Sequence, residues 1–99
     1  MSSGFVAILT AELHFPDAGS LKEKRQFVRA AKDSLRGKFG ASVAEVEHHD
    51  LWQRCTLTVA CVARDVAGAR ELAAGAERWL AAREWVLARA ETTIVSPED

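Results

Sequence analysis

The 99 residues predict an α+β fold of four antiparallel strands backed by two helices, in the order β-α-β-β-α-β. Three observations carry that prediction. Apolar residues alternate with period two near both ends of the chain and through its middle, as half-buried strands require. Between those stretches lie two runs with apolar residues at helical spacing. Each of these runs is opened by a residue suited to capping a helix. No linker, repeat or low-complexity segment interrupts the pattern, so residues 1–99 read as a single domain.

From Phe5 to Phe15 the odd positions are Phe5, Ala7, Leu9, Ala11, Leu13 and Phe15, one fully apolar face of a strand. "PDAG", Pro16 to Gly19, ends it. Ser20 offers an N-cap oxygen, with Glu23 three residues on to complete a capping box. Leu21, Phe27, Val28, Ala31 and Leu35 then form the buried side of a helix that stops near Gly37 to Gly40. The next stretch, "ASVAEVEHHDLWQRCTLTVACVAR", reads as two strands, Ser42–His48 and Leu51–Ala63, joined by a turn near His49–Asp50. Asp65 caps a second helix carrying Ala69, Leu72, Ala73, Ala76, Trp79 and Leu80 at helical spacing. After Arg83, "EWVLARAETTIV" alternates again as a last strand. Right-handed crossovers applied to this order give the ferredoxin-like fold, with sheet order 4-1-3-2 and both helices on one face.

Composition narrows the classes. At 48% apolar and 27% charged residues, the chain supports one modest core. No apolar run reaches the roughly 18 residues of a membrane helix. The opening "MSSGFVAILTAELHF" lacks a basic leader, so a cleaved signal is not expected and a cytoplasmic location is. Cys55 and Cys61 lie six apart on one strand face, roughly 20 Å at the strand rise, too far for an intrachain disulfide. Both are expected to be reduced core residues. The chain has no Asn and is rich in Ala, Arg and Glu, a composition that suits a thermophilic or GC-rich source.

Charge is distributed unevenly. Ser20 to Phe39 holds seven cations (Lys22, Lys24, Arg25, Arg29, Lys32, Arg36 and Lys38) against Glu23 and Asp33, in a chain of net charge −1. At 100° per residue, Lys22, Arg25, Arg29, Lys32 and Arg36 fall within an arc of about 80° beside the apolar face. Lys24 sits on the apolar side, with its stem packed and its ammonium expected to reach water. Cations in the first turn oppose the helix dipole, and an anion bound there reverses that penalty. Ser20, Lys22, Lys24, Arg25, Arg29, Lys32 and Arg36 are therefore candidate phosphate contacts, set against a basic face kept only for solubility.

A second cluster falls on the sheet face away from the helices: Glu12, His14, Glu45, Glu47, Trp52, Arg54 and Arg89. Alternating acids and arginines there read first as a structural cross-strand ion-pair lattice. A metal held by His14, Glu47 and His49 lacks ligand spacing, and His48 and His49 point to opposite faces. A Glu12–His14 acid–base pair has no nucleophile or substrate cradle beside it. No cofactor and no metal are expected. Acylphosphatase-like hydrolysis needs a Gly-rich phosphate loop carrying Arg, which "PDAGSLKEKR" does not supply. At the other end of the face Val6, Ile8, Ala60 and Val62 form an apolar patch fit for self-association. The central strands lack the paired aromatics that stack bases in RNA-recognition sheets.

At "LTAELHFPDAGSLKEKR" and "SVAEVEHHDLWQRCTL" the chain resembles the bacterial YlxP-like family, a small domain of unknown function, over nearly its full length. The resemblance implies a ferredoxin-like fold. It also hints at an RNA or ribosome role, because members are often encoded among transcription-elongation, translation-initiation and ribosome-maturation factors. It assigns no catalytic residue. Ser20 to Arg25 and Asp50 to Arg54 enter as candidate functional positions. The expectation is a non-enzymatic protein that binds RNA or a ribosomal component through the first helix. The alternative is a homodimeric or small-ligand module that uses the open sheet face.

Overall fold

In a computed structural model that describes residues 3–98, the elements follow the expected order. They are β1 (Phe5–His14), α1 (Leu21–Phe39), β2 (Ser42–Glu47), β3 (Arg54–Ala63), α2 (Val66–Ala81) and β4 (Val86–Val95). All neighbouring strands are antiparallel, in the spatial order β2-β3-β1-β4, which is the predicted order read from the other edge. The architecture is ferredoxin-like.

Local chemistry sets the helix ends as the sequence suggests. Ser20 Oγ accepts the Glu23 backbone N–H at 3.1 Å, and Gly40 closes α1 in the left-handed region with its N–H on Arg36 O. Asp65 Oδ1 accepts the Gly68 N–H at 2.7 Å and opens α2. The far end of α2 is tied by Trp85, whose indole Nε1 donates to Leu80 O at 3.0 Å. Trp85 also meets Phe15 and Trp79 edge-on, while Phe15 stacks on Phe27 at 5.4 Å.

Both helices cover the face that carries the odd residues of β1. Ala7, Leu9, Ala11 and Leu13 are wholly buried there beside Leu57, Val59 and Cys61 of β3, with Val28, Ala31, Leu35, Ala69, Ala76 and Leu80 above them. Cys55 and Cys61 are free and buried, as expected.

Four details depart from the sequence reading. The third strand begins at Arg54, so Leu51 to Gln53 belong to a loop that opens on His48, a residue with φ 67°. In β2, Glu45 pairs with Leu57 and Glu47 with Thr56, leaving Val46 as an extra, bulged residue. In β4, Arg89 pairs with Glu12 and Leu87 with Leu13, so Ala88 is bulged as well. Each bulge delays the alternation by one residue. Glu45 keeps the helix-facing side of Val43 while Glu47 is turned to the open side, and Arg89 keeps the open side of Glu91 while Leu87 is turned to the helices. Trp85, which period-two alternation of the last strand groups with Arg89 on the open face, is buried in the aromatic cluster instead.

The outer edge of β2 is covered by side chains. Arg36 Nη2 donates to Val43 O at 3.3 Å, and His49 Nε2 lies 3.0 Å from Glu45 O.

Candidate functional site

The basic stripe of α1 forms as its spacing requires. Lys22, Arg25 and Arg29 are exposed and Lys32 is half-buried. Among the described residues none of these four has an acidic partner within 4 Å, whereas Arg36 has Asp33 at 3.8 Å. Arg25, Arg29, Lys32 and Arg36 line a groove of about 470 Å3 with Val28, Asp33 and Glu45, between α1 and the β2 edge.

Two candidate phosphate contacts serve the fold instead. The Ser20 hydroxyl is engaged as the N-cap. Lys24 is 1% exposed, and its Nζ lies 2.6 Å from Glu45 Oε2 and 2.7 Å from His48 O. Its ammonium does not reach water, because Glu45, on the helix-facing side of β2 with Val43, meets it beneath the sheet. Glu45 therefore leaves the open-face cluster in which the sequence placed it.

On the open face the register sets side chains in rows across the strands. Arg54, His14 and Val86 make one row; Glu47, Thr56, Glu12 and Arg89 make the next. Arg54 Nη2 lies 3.7 Å from Glu12 Oε1, and Arg89 pairs with Glu91. Those bonds and the nearby Glu12 charge hold the Arg89 guanidinium above its ordinary pKa, the Glu91 hydrogen bond contributing most. Only part of the expected lattice forms, since among the described residues Glu47 meets no arginine.

Trp52 lies outside the strand. It is half exposed in the loop, where it lines a cleft of about 660 Å3 with His14, Asp50, Leu51, Arg54 and Val86. The loop is held by Phe15 N–H on Gln53 O at 2.9 Å and Leu51 N–H on His48 O at 3.1 Å. At the opposite end, Val62, Val6 and Val95 form an apolar row, with Val62 69% exposed, followed by Ala60 and Ile8. Among the described residues, no three His, Cys, Asp or Glu side chains converge to hold a metal ion. No helix is long and apolar enough to cross a membrane.

A sequence profile described as "Protein of unknown function (DUF503)" matches residues 6–93. This chain belongs to the DUF503 family. It is also similar to "Uncharacterized protein YlxP" of Bacillus subtilis (strain 168), 40% identical over 47 residues. That stretch is 48% of this chain and 51% of the Bacillus protein, so the match spans about half the length of each. The likeness to YlxP seen in the sequence is thereby supported.

The DUF503 fold brings the two stretches that carried that likeness together. "SLKEKR" supplies Lys24 at the start of α1, and "VAEVEHHDLWQR" supplies Glu45 and His48. Val46, Ala88 and Val95 carry weight that sequence reasoning did not assign to them. An apolar residue at the end of the last strand was a signal for Val95. The two bulges left none, because one extra residue does not disturb a short alternating pattern.

Proposed function

We propose that this DUF503 protein is non-enzymatic, acts in the cytosol, and binds RNA or a ribonucleoprotein through phosphate contacts from α1. The observation that carries the reading is the groove beside β2, where Arg25, Arg29 and Lys32 are unpaired among the described residues while the acids around them are engaged. Lys24 neutralises Glu45 from beneath and Arg36 faces Asp33, so the remaining cations project a net positive field along the groove. Lys22 and Arg25 lie in the first turn, where the helix dipole adds to their attraction for an anion.

Binding of this kind is electrostatic. Log affinity for single-stranded RNA falls linearly with log salt by about 0.7 per phosphate contact, so three or four contacts give a slope between about −2 and −3. Arg25→Glu with Arg29→Glu is expected to weaken binding to all sequences alike and flatten the slope, because phosphate contacts position without specifying. The melting temperature is expected to stay within a few degrees of wild type. An unchanged slope in this double variant, or no binding of the wild type to ribosomal RNA at low salt, refutes the reading.

The exposed Val62–Val6–Val95 row favours a second reading, a homodimer formed through the apolar end of the sheet.

A further inference from the structure

Among the described residues the open face holds one buried polar group without a hydrogen-bond partner. Thr56 is 5% exposed, and its Oγ1 makes no hydrogen bond among the described residues. Such a hydroxyl is destabilising where it stands and is usually explained by a ligand or a role in chemistry. Thr56 lines a small cleft of about 160 Å3 with Thr10, Glu12, Glu47, Arg89 and Glu91.

The backbone is bent to build this cleft. Glu47 faces it only because β2 carries an extra residue at Val46; in a regular strand it would share the helix-facing side of Val43 and Glu45. Arg89 faces it in the regular register that runs from Val95, and the β4 bulge at Ala88, at the same level of the sheet, turns Leu87 to the helices. A bulge that re-aims a charged side chain into such a row is a feature of a site rather than of a ladder. In that row Glu47 and Glu12 flank Thr56 on its two neighbouring strands, with Cβ atoms about 5 Å to either side. Glu12 is partly engaged by Arg54 and Glu91 by Arg89. Among the described residues Glu47 meets only the His48 imidazole, at 3.9 Å, and its side chain is 68% exposed, free to swing and admit a ligand to the hydroxyl beneath.

We propose that Glu47, Thr56 and Glu12 bind a protonated primary aliphatic amine. Three acids against Arg89 exclude an anionic guest. A hard metal ion requires several oxygens close about one point, and no such acidic group converges among the described residues. An ammonium carries three tetrahedral N–H donors and needs three acceptors, which one hydroxyl between two carboxylates provides. Its charge is met by charge-assisted hydrogen bonds. The cleft accommodates the head and a few methylenes. The next row, His14 and Arg54, leads to the cleft of Leu51, Trp52 and Val86, where an apolar stem is covered. This site is separate from the α1 groove and does not depend on RNA binding.

The test is a titration of the 15N-labelled full chain with n-pentylamine, followed by amide shifts. Shifts are expected at Thr10, Glu12, Glu47, Thr56, Arg89 and Glu91. Thr56→Val is expected to weaken binding at least about fivefold while its melting temperature holds or rises, since the variant removes an unbonded hydroxyl. Thr56→Ser is expected to retain binding, and Glu47→Gln, at an exposed position that leaves the core intact, to weaken it. Nα-acetyl-lysine methylamide in parallel identifies the source: tighter binding than n-pentylamine indicates a protein lysine, weaker binding a free amine. The proposal is overturned by unchanged affinity in Thr56→Val or Glu47→Gln, by shifts scattered over the surface, or by Mg2+ or Ca2+ producing the same shifts at lower concentration than the amine.

Discussion

Lys24 brings a charge into the face on which α1 packs, where it meets the Glu45 carboxylate at 2.6 Å and the His48 carbonyl at 2.7 Å. Removing one partner of a buried pair leaves the other uncompensated and costs about 3–5 kcal/mol. Glu45 keeps some access to water, with its side chain 18% exposed, which favours the lower end. Lys24→Met is therefore expected to cost about 3 kcal/mol and lower the melting temperature by more than about 10 °C. Adding Glu45→Leu should restore most of that loss, because the stranded carboxylate is gone. A double variant as unstable as the single one would show that the charge pair is not the reason. Cys55 gives a second prediction. Burial first, and the Glu45 charge next, push its thiol from 9.0 up to about 12. Between those values the unfolded chain releases the proton and the folded chain keeps it, so stability should fall as pH rises from about 9 toward 12. Urea midpoints for wild type and Cys55→Ala across that range should converge if this thiol is responsible. The sequence announced the cysteine's burial, because its strand alternates cleanly. It did not announce that of Lys24, whose partners lie more than twenty residues away, on β2 and in the turn after it.

At the scale of elements, the helices follow from short-range rules and were legible for that reason. Ser20 and Asp65 each accept an N–H from the first turn, so Ser20→Ala and Asp65→Ala should each cost about 1 kcal/mol. The measurement is an equilibrium unfolding midpoint with an unchanged m-value; a shift below a few tenths of a kcal/mol in both would contradict the capping account. The strands were legible in number, order and direction, since period two and the crossover rule suffice for that. Their faces were legible only for β1 and β3, which run without interruption for ten residues each. On β2 and β4, parity groups Glu45 with Glu47 and Leu87 with Arg89, yet the extra residues Val46 and Ala88 separate both pairs. A bulge answers to the twist of the whole sheet, which a local pattern does not record. The loop from His48 to Gln53 misled for a different reason. Leu51 and Trp52 look like strand residues, but the left-handed turn at His48 and the bond from Phe15 to Gln53 hold them outside the ladder.

The whole molecule presents three unlike surfaces: a basic groove on α1, a polar and partly aromatic end of the open face, and an apolar end at Val62, Val6 and Val95. The last bears directly on assembly. If two copies meet there, Val62→Lys with Val95→Lys should turn a dimer into a monomer on sizing, without loss of helical or strand signal. A wild type already monomeric at high micromolar concentration would remove that reading. The chemistry of each surface was visible in composition, but which residues share it depended on register. One feature of the sheet acts on a longer timescale. Arg36 and His49 occupy backbone carbonyls on the outer margin of β2, while among the described residues no side chain bonds the outer margin of the ten-residue β4. A strand margin with free amides and carbonyls is a template for further chains. Should the protein be crowded or partly unfolded, edge pairing is directed to β4 and stops at two molecules: once two β4 margins have paired, the β2 margin of each offers a third no foothold.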